Sequence, residues 1–194
     1  MTIIIGITGA SGSLIAAKTV DELLDRNIPT SVVASNPAKL VWRQEMKETF
    51  GEAIEKWSDS ASFTNYAIGD YQAPIASGSF PSQGMVVVPS SMATIAAIAN
   101  GSSDNLIRRS ADVCIKERRP LIIIPRESPL SRIHLSNMER IAELGGTIIT
   151  ADPPFYLPLK TIADSAEFTA NKILVSLGVE KELPIHMQYN GPNI

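Results

Sequence analysis

Three groups of residues in this chain have the types and spacing to do chemistry. The first is Pro125-Arg126-Glu127-Ser128-Pro129-Leu130, where an arginine and a glutamate follow the apolar run Leu121-Ile122-Ile123-Ile124. A short Ile-rich run closed by proline reads as a buried strand of a parallel sheet, so the charged pair falls where the strand ends. Ligands of open α/β sheets bind in the crevice outside the carboxyl ends of the strands, and an Arg-Glu pair there is costly without a partner. Simple charge compensation accounts for Glu127 equally well.

The second group is the turn punctuated by Gly6, Gly9 and Gly12, with Ala10 and Ser11 between the last two. It lets backbone amides approach a phosphate or a flavin-like ring at a helix N-terminus. It is neither GxGxxG nor a Walker loop, and plain tight packing explains such a turn as well; Ser11 supplies its only side-chain hydroxyl. The third group, Ser90-Ser91-Met92-Ala93-Thr94, offers hydroxyls and amides to an acceptor ligand, or merely an N-cap from Ser90 or Ser91.

Cations add to these groups. Arg109 and Lys116 are seven residues apart and share one helix face, either as a solvated stripe or, with Arg126 and Lys172, as a pocket for a small phosphate. Tyr156 follows Pro153-Pro154-Phe155 and presents a hydroxyl, although such a tyrosine also serves as packing with a wet tip. Glu45 lies among apolar residues, where a surface glutamate is the plain alternative. His134 reads as a helix cap, and Cys114 as core.

Composition excludes several classes of function. The 194 residues are 44% hydrophobic and 19% charged with net charge -3, which suits one domain over 1–194 with a core at about 2–178 and a tail at about 179–194. No basic run suggests nucleic acid or a membrane surface. One cysteine and two histidines make neither a disulfide nor a confident metal site. Met1 to Gly6 lacks a basic leader, so the expected location is the cytoplasm, with no membrane span.

These groups need elements to position them. Thr2 to Thr8 reads as a strand, followed by a helix with Leu14, Ala17, Val20, Leu23 and Leu24 on one face. Thr30 to Ala34 is a second strand, ending in Ser35-Asn36-Pro37, which caps and starts a helix carrying Leu40, Val41 and Met46. Gly51 to Ala76 reads as a long aromatic-rich loop with short pieces of structure. Strands at Gly84 to Val88, Leu121 to Ile124 and Thr147 to Thr150 alternate with helices at Ala93 to Ala99, Asn105 to Arg118, Ser136 to Leu144 and Ile162 to Leu177. Strands alternating with helices make right-handed βαβ units, so the predicted architecture is α/β, a three-layer αβα sandwich around a parallel sheet.

Taken together, these segments resemble the UbiX-type flavin prenyltransferases, formerly described as phenylacrylic or hydroxybenzoate decarboxylase subunits. The carriers are Gly6-Ile-Thr-Gly-Ala-Ser-Gly12, Ala73-Pro-Ile-Ala-Ser-Gly-Ser-Phe80, Gly84-Met-Val-Val-Val-Pro89, Arg109-Ser-Ala-Asp-Val-Cys-Ile-Lys-Glu117 and Pro125-Arg-Glu-Ser-Pro-Leu130. The resemblance runs from about Ile3 to Leu177. It implies a flavodoxin-like or Rossmann-like homo-oligomer, commonly a dodecamer, binding FMN at subunit interfaces. The implied reaction joins a dimethylallyl group from dimethylallyl phosphate to N5 and C6 of reduced FMN without metal. The prenylated FMN then serves a UbiD-type decarboxylase.

By position, Ser11 and Glu45 match the family residues beside the reacting flavin and prenyl chain. Lys116, Arg126 and Tyr156 match its phosphate-binding set, Arg109 another basic residue of that site, and Glu127 the acid after the arginine. Gly9, Ala10, Ser11, Gly12, Ser35, Ser90, Ser91, Met92, Thr94 and Arg126 would hold FMN. The chain departs from the family at Ala93, where many relatives carry lysine, and at Ser90, where cysteine is frequent. At Lys172 an arginine is common, so a charge remains but its planar fork is lost. The 46–72 segment is shorter than usual. Two rival readings are a flavin-dependent cysteine decarboxylase, whose histidine and Asn-containing segment are not recognisable here, and a non-catalytic FMN-binding accessory subunit.

Overall fold

A computed structural model describes residues 1–191. Residues 192–194, the end of the expected tail, lie outside the described residues. Six strands form one all-parallel sheet in the order β3-β2-β1-β4-β5-β6. They are β1 Thr2–Ile7, β2 Thr30–Ala34, β3 Phe63–Tyr66, β4 Ser82–Ser90, β5 Leu121–Pro125 and β6 Thr147–Ile148. Seven helices accompany them: α1 Ser13–Asp25, α2 Asn36–Glu45, α3 Phe50–Trp57, α4 Met92–Ala99, α5 Leu106–Lys116, α6 Arg132–Glu143 and α7 Ile162–Ser176.

The central strands are apolar on both sides because both sides are covered. Ile3, Ile5, Ile7, Val86 and Val88 face a core shared with α1, α2, α3 and α7. Ile4, Met85, Val87 and Ile123 face a second core shared with α4, α5 and α6. The three-layer sandwich is therefore as the alternating pattern predicts.

Three expectations are corrected. The region from Gly51 to Ala76 is not a loop with fragments: Thr49 and Glu52 form a reciprocal capping box that starts α3, and β3 pairs with β2 as an edge strand. Trp42, Phe50, Trp57 and Phe63 stack here, with ring centroids 5.1 to 6.1 Å apart, which is why the region is aromatic. In α2 the buried face is Ala38 and Trp42, whereas Leu40 is 69% exposed. Helix α6 also starts earlier than expected, because Ser131 caps it and the His134 Nδ1 accepts the Ser131 N–H at 3.2 Å. His134 is thus the capping residue its position suggests.

Candidate active site at the β1–β4 switch point

Adjacent strands β1 and β4 send their chains to opposite faces of the sheet, β1 into α1 and β4 into α4. This is the topological switch point at which open α/β sheets bind ligands. A cavity of about 590 Å³ opens beside it, lined by Ser11, Gly12, Arg126, Glu127 and Ser128 with Leu14, Ile15 and Leu130 as apolar wall. A larger cavity of about 740 Å³ lies between α1 and the α2–α3 pair, and none of the predicted site residues lines it.

Glu45, the last residue of α2, reaches the N-terminus of α1. Its carboxylate accepts the N–H of Gly12 at 3.0 Å and of Ser13 at 2.8 Å. Gly12, the N-cap of α1, has no side chain to do this, so the cap comes from another helix. Burial alone would raise the Glu45 pKa, but hydrogen bonding from Ser11, Ser13 and Gly12 outweighs it and holds the carboxyl below its ordinary value. The turn that could have held a phosphate therefore already holds an internal anion, ionised and beside Ser11.

Two glycines of this turn have steric reasons. A Cβ on Gly9 would stand 2.4 Å from the Cβ of Pro37, so the loop can lie against the start of α2 only without a side chain. Gly12 has φ +121°, which L side chains rarely adopt. Ser35 caps α2, accepting the Ala38 N–H at 3.2 Å, and its own N–H donates to the Ile7 carbonyl at 3.0 Å. The loops after β1 and β2 are thereby packed together.

On the β4 side, Ser91 is the N-cap of α4, accepting the Thr94 N–H at 3.4 Å and donating to Thr94 Oγ1 at 3.1 Å. Of the two cap candidates it is Ser91 that caps. The neighbouring Ser90 hydroxyl is fully buried and has no hydrogen-bond partner. It stands at the carboxyl end of β4, next to the switch point.

The predicted cations do not gather. Arg126 and Glu127 are exposed at the carboxyl end of β5, and the Glu127 carboxylate accepts the Ser128 N–H at 3.1 Å. Among the described residues they do not form the expected ion pair. Lys116 ends α5, before β5 begins, so the five residues of that strand place it about 16 Å away, at the amino end of the strand. There it pairs with Glu117, while Arg109 binds Asp112 at 2.9 Å and the Ala76 carbonyl at 3.0 Å. Lys172 is exposed on α7, and Tyr156 packs edge-on against Tyr189 with centroids 5.4 Å apart. One chain does not bring Lys116 and Arg126 together: they lie at the two ends of β5. The acids that hold these cations, Asp112 and Glu117, are not among the predicted site residues, although both lie in the Arg109 to Glu117 segment.

Cys114 is core, its thiol pushed up to about 12 by burial. Among the described residues no group of His, Cys, Asp and Glu could hold a metal, and no helix is long and apolar enough to cross a membrane.

The flavoprotein family model matches residues 1–179. The flavin prenyltransferase UbiX of Thermoplasma acidophilum is 42% identical over 183 residues, covering 94% of this chain and 98% of its own. That of Halalkalibacterium halodurans is 40% identical, covering 92% of this chain and 89% of its own, and the flavin prenyltransferase LpdB of Lactiplantibacillus plantarum is 41% identical over 93% and 94%. The crystal structure of AnUbiX in complex with FMN and dimethylallyl pyrophosphate superposes with TM-score 0.90 at 34% identity, covering 99% of this chain and 98% of that one. The dodecameric FMN-dependent UbiX-like decarboxylase of Escherichia coli O157:H7 also gives 0.90 at 34%, covering 98% of this chain and all of that one. The peptidyl-cysteine decarboxylase EpiD shares the fold alone, with TM-score 0.56 at 18% identity over 78% of this chain and 81% of that one. With matches of this identity over almost its whole length, the chain belongs to the flavoprotein family and, within it, to the flavin prenyltransferases.

Proposed function

We propose that the crevice between β1 and β4 binds reduced FMN and that the protein transfers a dimethylallyl group to it from dimethylallyl phosphate. The observation that carries this reading is the Glu45 carboxylate, held ionised on the Gly12 and Ser13 amides beside Ser11 at the switch point. Ser35, the buried Ser90 hydroxyl, Ser91, Met92 and Thr94 supply polar groups on both sides of the crevice. FMN, when bound, supplies the nucleophilic N5 and C6 positions. No metal takes part in this reading.

The chain's own residues then have separable tasks. Arg126 at the crevice stabilises charge on the departing phosphate, with Glu127 beside it. Lys116, Arg109, Tyr156 and Lys172 complete the phosphate set from neighbouring copies, because one chain cannot bring Lys116 to Arg126. Leu14, Ile15 and Leu130 exclude water from a developing allylic cation. Glu45 would accept the C6 proton and pass it on to the released phosphate, the stronger base, since a carboxylate held below its ordinary value does not retain it.

The homo-oligomer is read as a dodecamer in the cytoplasm, and the prenylated FMN goes to a UbiD-type decarboxylase. The test is the mass of the flavin released after anaerobic incubation with reduced FMN and dimethylallyl phosphate. A gain of one dimethylallyl unit is expected. Unmodified FMN would favour an accessory role, and absence of bound flavin would overturn the reading.

A further inference from the structure

Where β1 and β4 diverge, one side chain joins them. Thr8, just past β1 and 3% exposed, donates its hydroxyl proton to the Pro89 carbonyl at 2.8 Å and accepts the Ser91 N–H at 2.7 Å. Its own N–H donates to the same Pro89 carbonyl at 3.2 Å. The partners are 81 and 83 residues away in sequence.

The ladder between β1 and β4 runs as far as Gly6 and Val87, and the pairing of β4 with β5 is irregular between Val87 and Ser90. Pro89 has no N–H, so it cannot donate to a neighbouring strand at this rung. Past that point the Thr8 hydroxyl bridges the two strands, donating to the Pro89 carbonyl and accepting the Ser91 N–H, and so carries the pairing beyond the regular ladder. On one side it continues into Gly9, Ala10 and Ser11, and the Ala10 N–H folds back onto the Thr8 carbonyl at 2.9 Å. On the other it grips Ser91, whose side chain is already committed to capping α4.

We propose that Thr8 is a positioning residue: its hydroxyl sets the separation and angle between the glycine turn and the N-terminus of α4, the two walls of the switch-point crevice. Ser11 and Glu45 stand on one wall, and Ser90 with the first amides of α4 on the other. Only a buried hydroxyl does this, because the rung needs a donor and an acceptor on one atom. The inference rests on the crevice being the flavin site.

The test compares Thr8→Val, which keeps the shape and removes the hydroxyl, with Thr8→Ser, which keeps the hydroxyl. FMN titration of the flavin-free full-length protein and the visible spectrum of the bound flavin are the readouts. Thr8→Val is expected to weaken FMN binding at least about tenfold, the effect of losing one hydrogen-bonded anchor, and to shift the bound-flavin spectrum. Thr8→Ser should stay within about twofold of the native protein on the same scale, with the native spectrum. Native-like affinity and spectrum in Thr8→Val would overturn the proposal, as would loss in Thr8→Ser equal to that in Thr8→Val. Should Thr8→Val not fold, Thr8→Cys, with its weak hydrogen bonding, takes its place under the same outcomes. Failure of the native protein to bind FMN would instead overturn the flavin reading itself.

Discussion

The carboxylate of Glu45 accepts the backbone N–H of Ser13 at 2.8 Å, so the last residue of α2 caps the first turn of α1. One side chain therefore joins two helices and stands at the mouth of the crevice beside Ser11. Its structural and chemical roles can be separated by substitution. Glu45→Gln keeps an acceptor for the α1 amides and loses the charge. It should leave FMN bound and lower the prenylation rate by about 10²-fold or more, the range for removing a positioned proton acceptor. Single-turnover kinetics under anaerobic conditions check this, and unchanged turnover would remove Glu45 from the chemistry.

The same contact makes a pH prediction. Glu45 has a lowered pKa in the folded state, so its contribution to stability is present above the unfolded carboxylate value near 4.3 and is lost as pH falls through the lower folded value. The native protein should thus lose its advantage over Glu45→Gln only below about pH 4. Urea unfolding of both proteins at pH 7 and pH 3 measures it; an advantage that shrinks as pH rises would contradict the sign.

Gly9→Ala tests the wall behind the site. The new Cβ would meet the Pro37 Cβ at 2.4 Å, so either the glycine turn or the start of α2 must shift. A loss of about 1–3 kcal/mol is expected from such overpacking, together with weaker FMN binding, since the glycine turn carries Ser11 and Gly12 into the crevice. Thermal unfolding and flavin titration give the two quantities.

The extent to which the sequence was legible follows from which forces act locally. β2 was readable to the residue because five buried positions between turn residues leave no other solution. The switch point was legible too, because glycine and hydroxyl clusters follow β1 and β4. The stretch after Met46 was not: α3 spans eight residues, and aromatic side chains that pack across α2, α3 and β3 obscure its period. The capping box at Thr49 and Glu52 was the local signal that could have revealed it. At Glu45 the type was legible and the partner was not, since its amides lie 32 and 33 residues away. Thr49→Ala should cost about 1 kcal/mol by losing the cap, measured by denaturant unfolding, with FMN affinity unchanged.

The separation of Lys116 from Arg126 makes the strongest prediction about assembly. They stand at the two ends of β5, separated by the five residues of that strand, about 16 Å. If both serve one phosphate, they come from different copies. Lys116→Ala and Arg126→Ala should each be inactive as pure proteins, yet regain activity when co-assembled, because some sites then receive a native lysine from one copy and a native arginine from another. Random mixing in equal amounts restores about one quarter of native sites in a symmetric oligomer. Co-expression with two affinity tags, followed by the flavin mass assay, measures the fraction. Complete silence of the mixed assemblies would mean that the two cations act within one chain or that one of them has no part in phosphate binding.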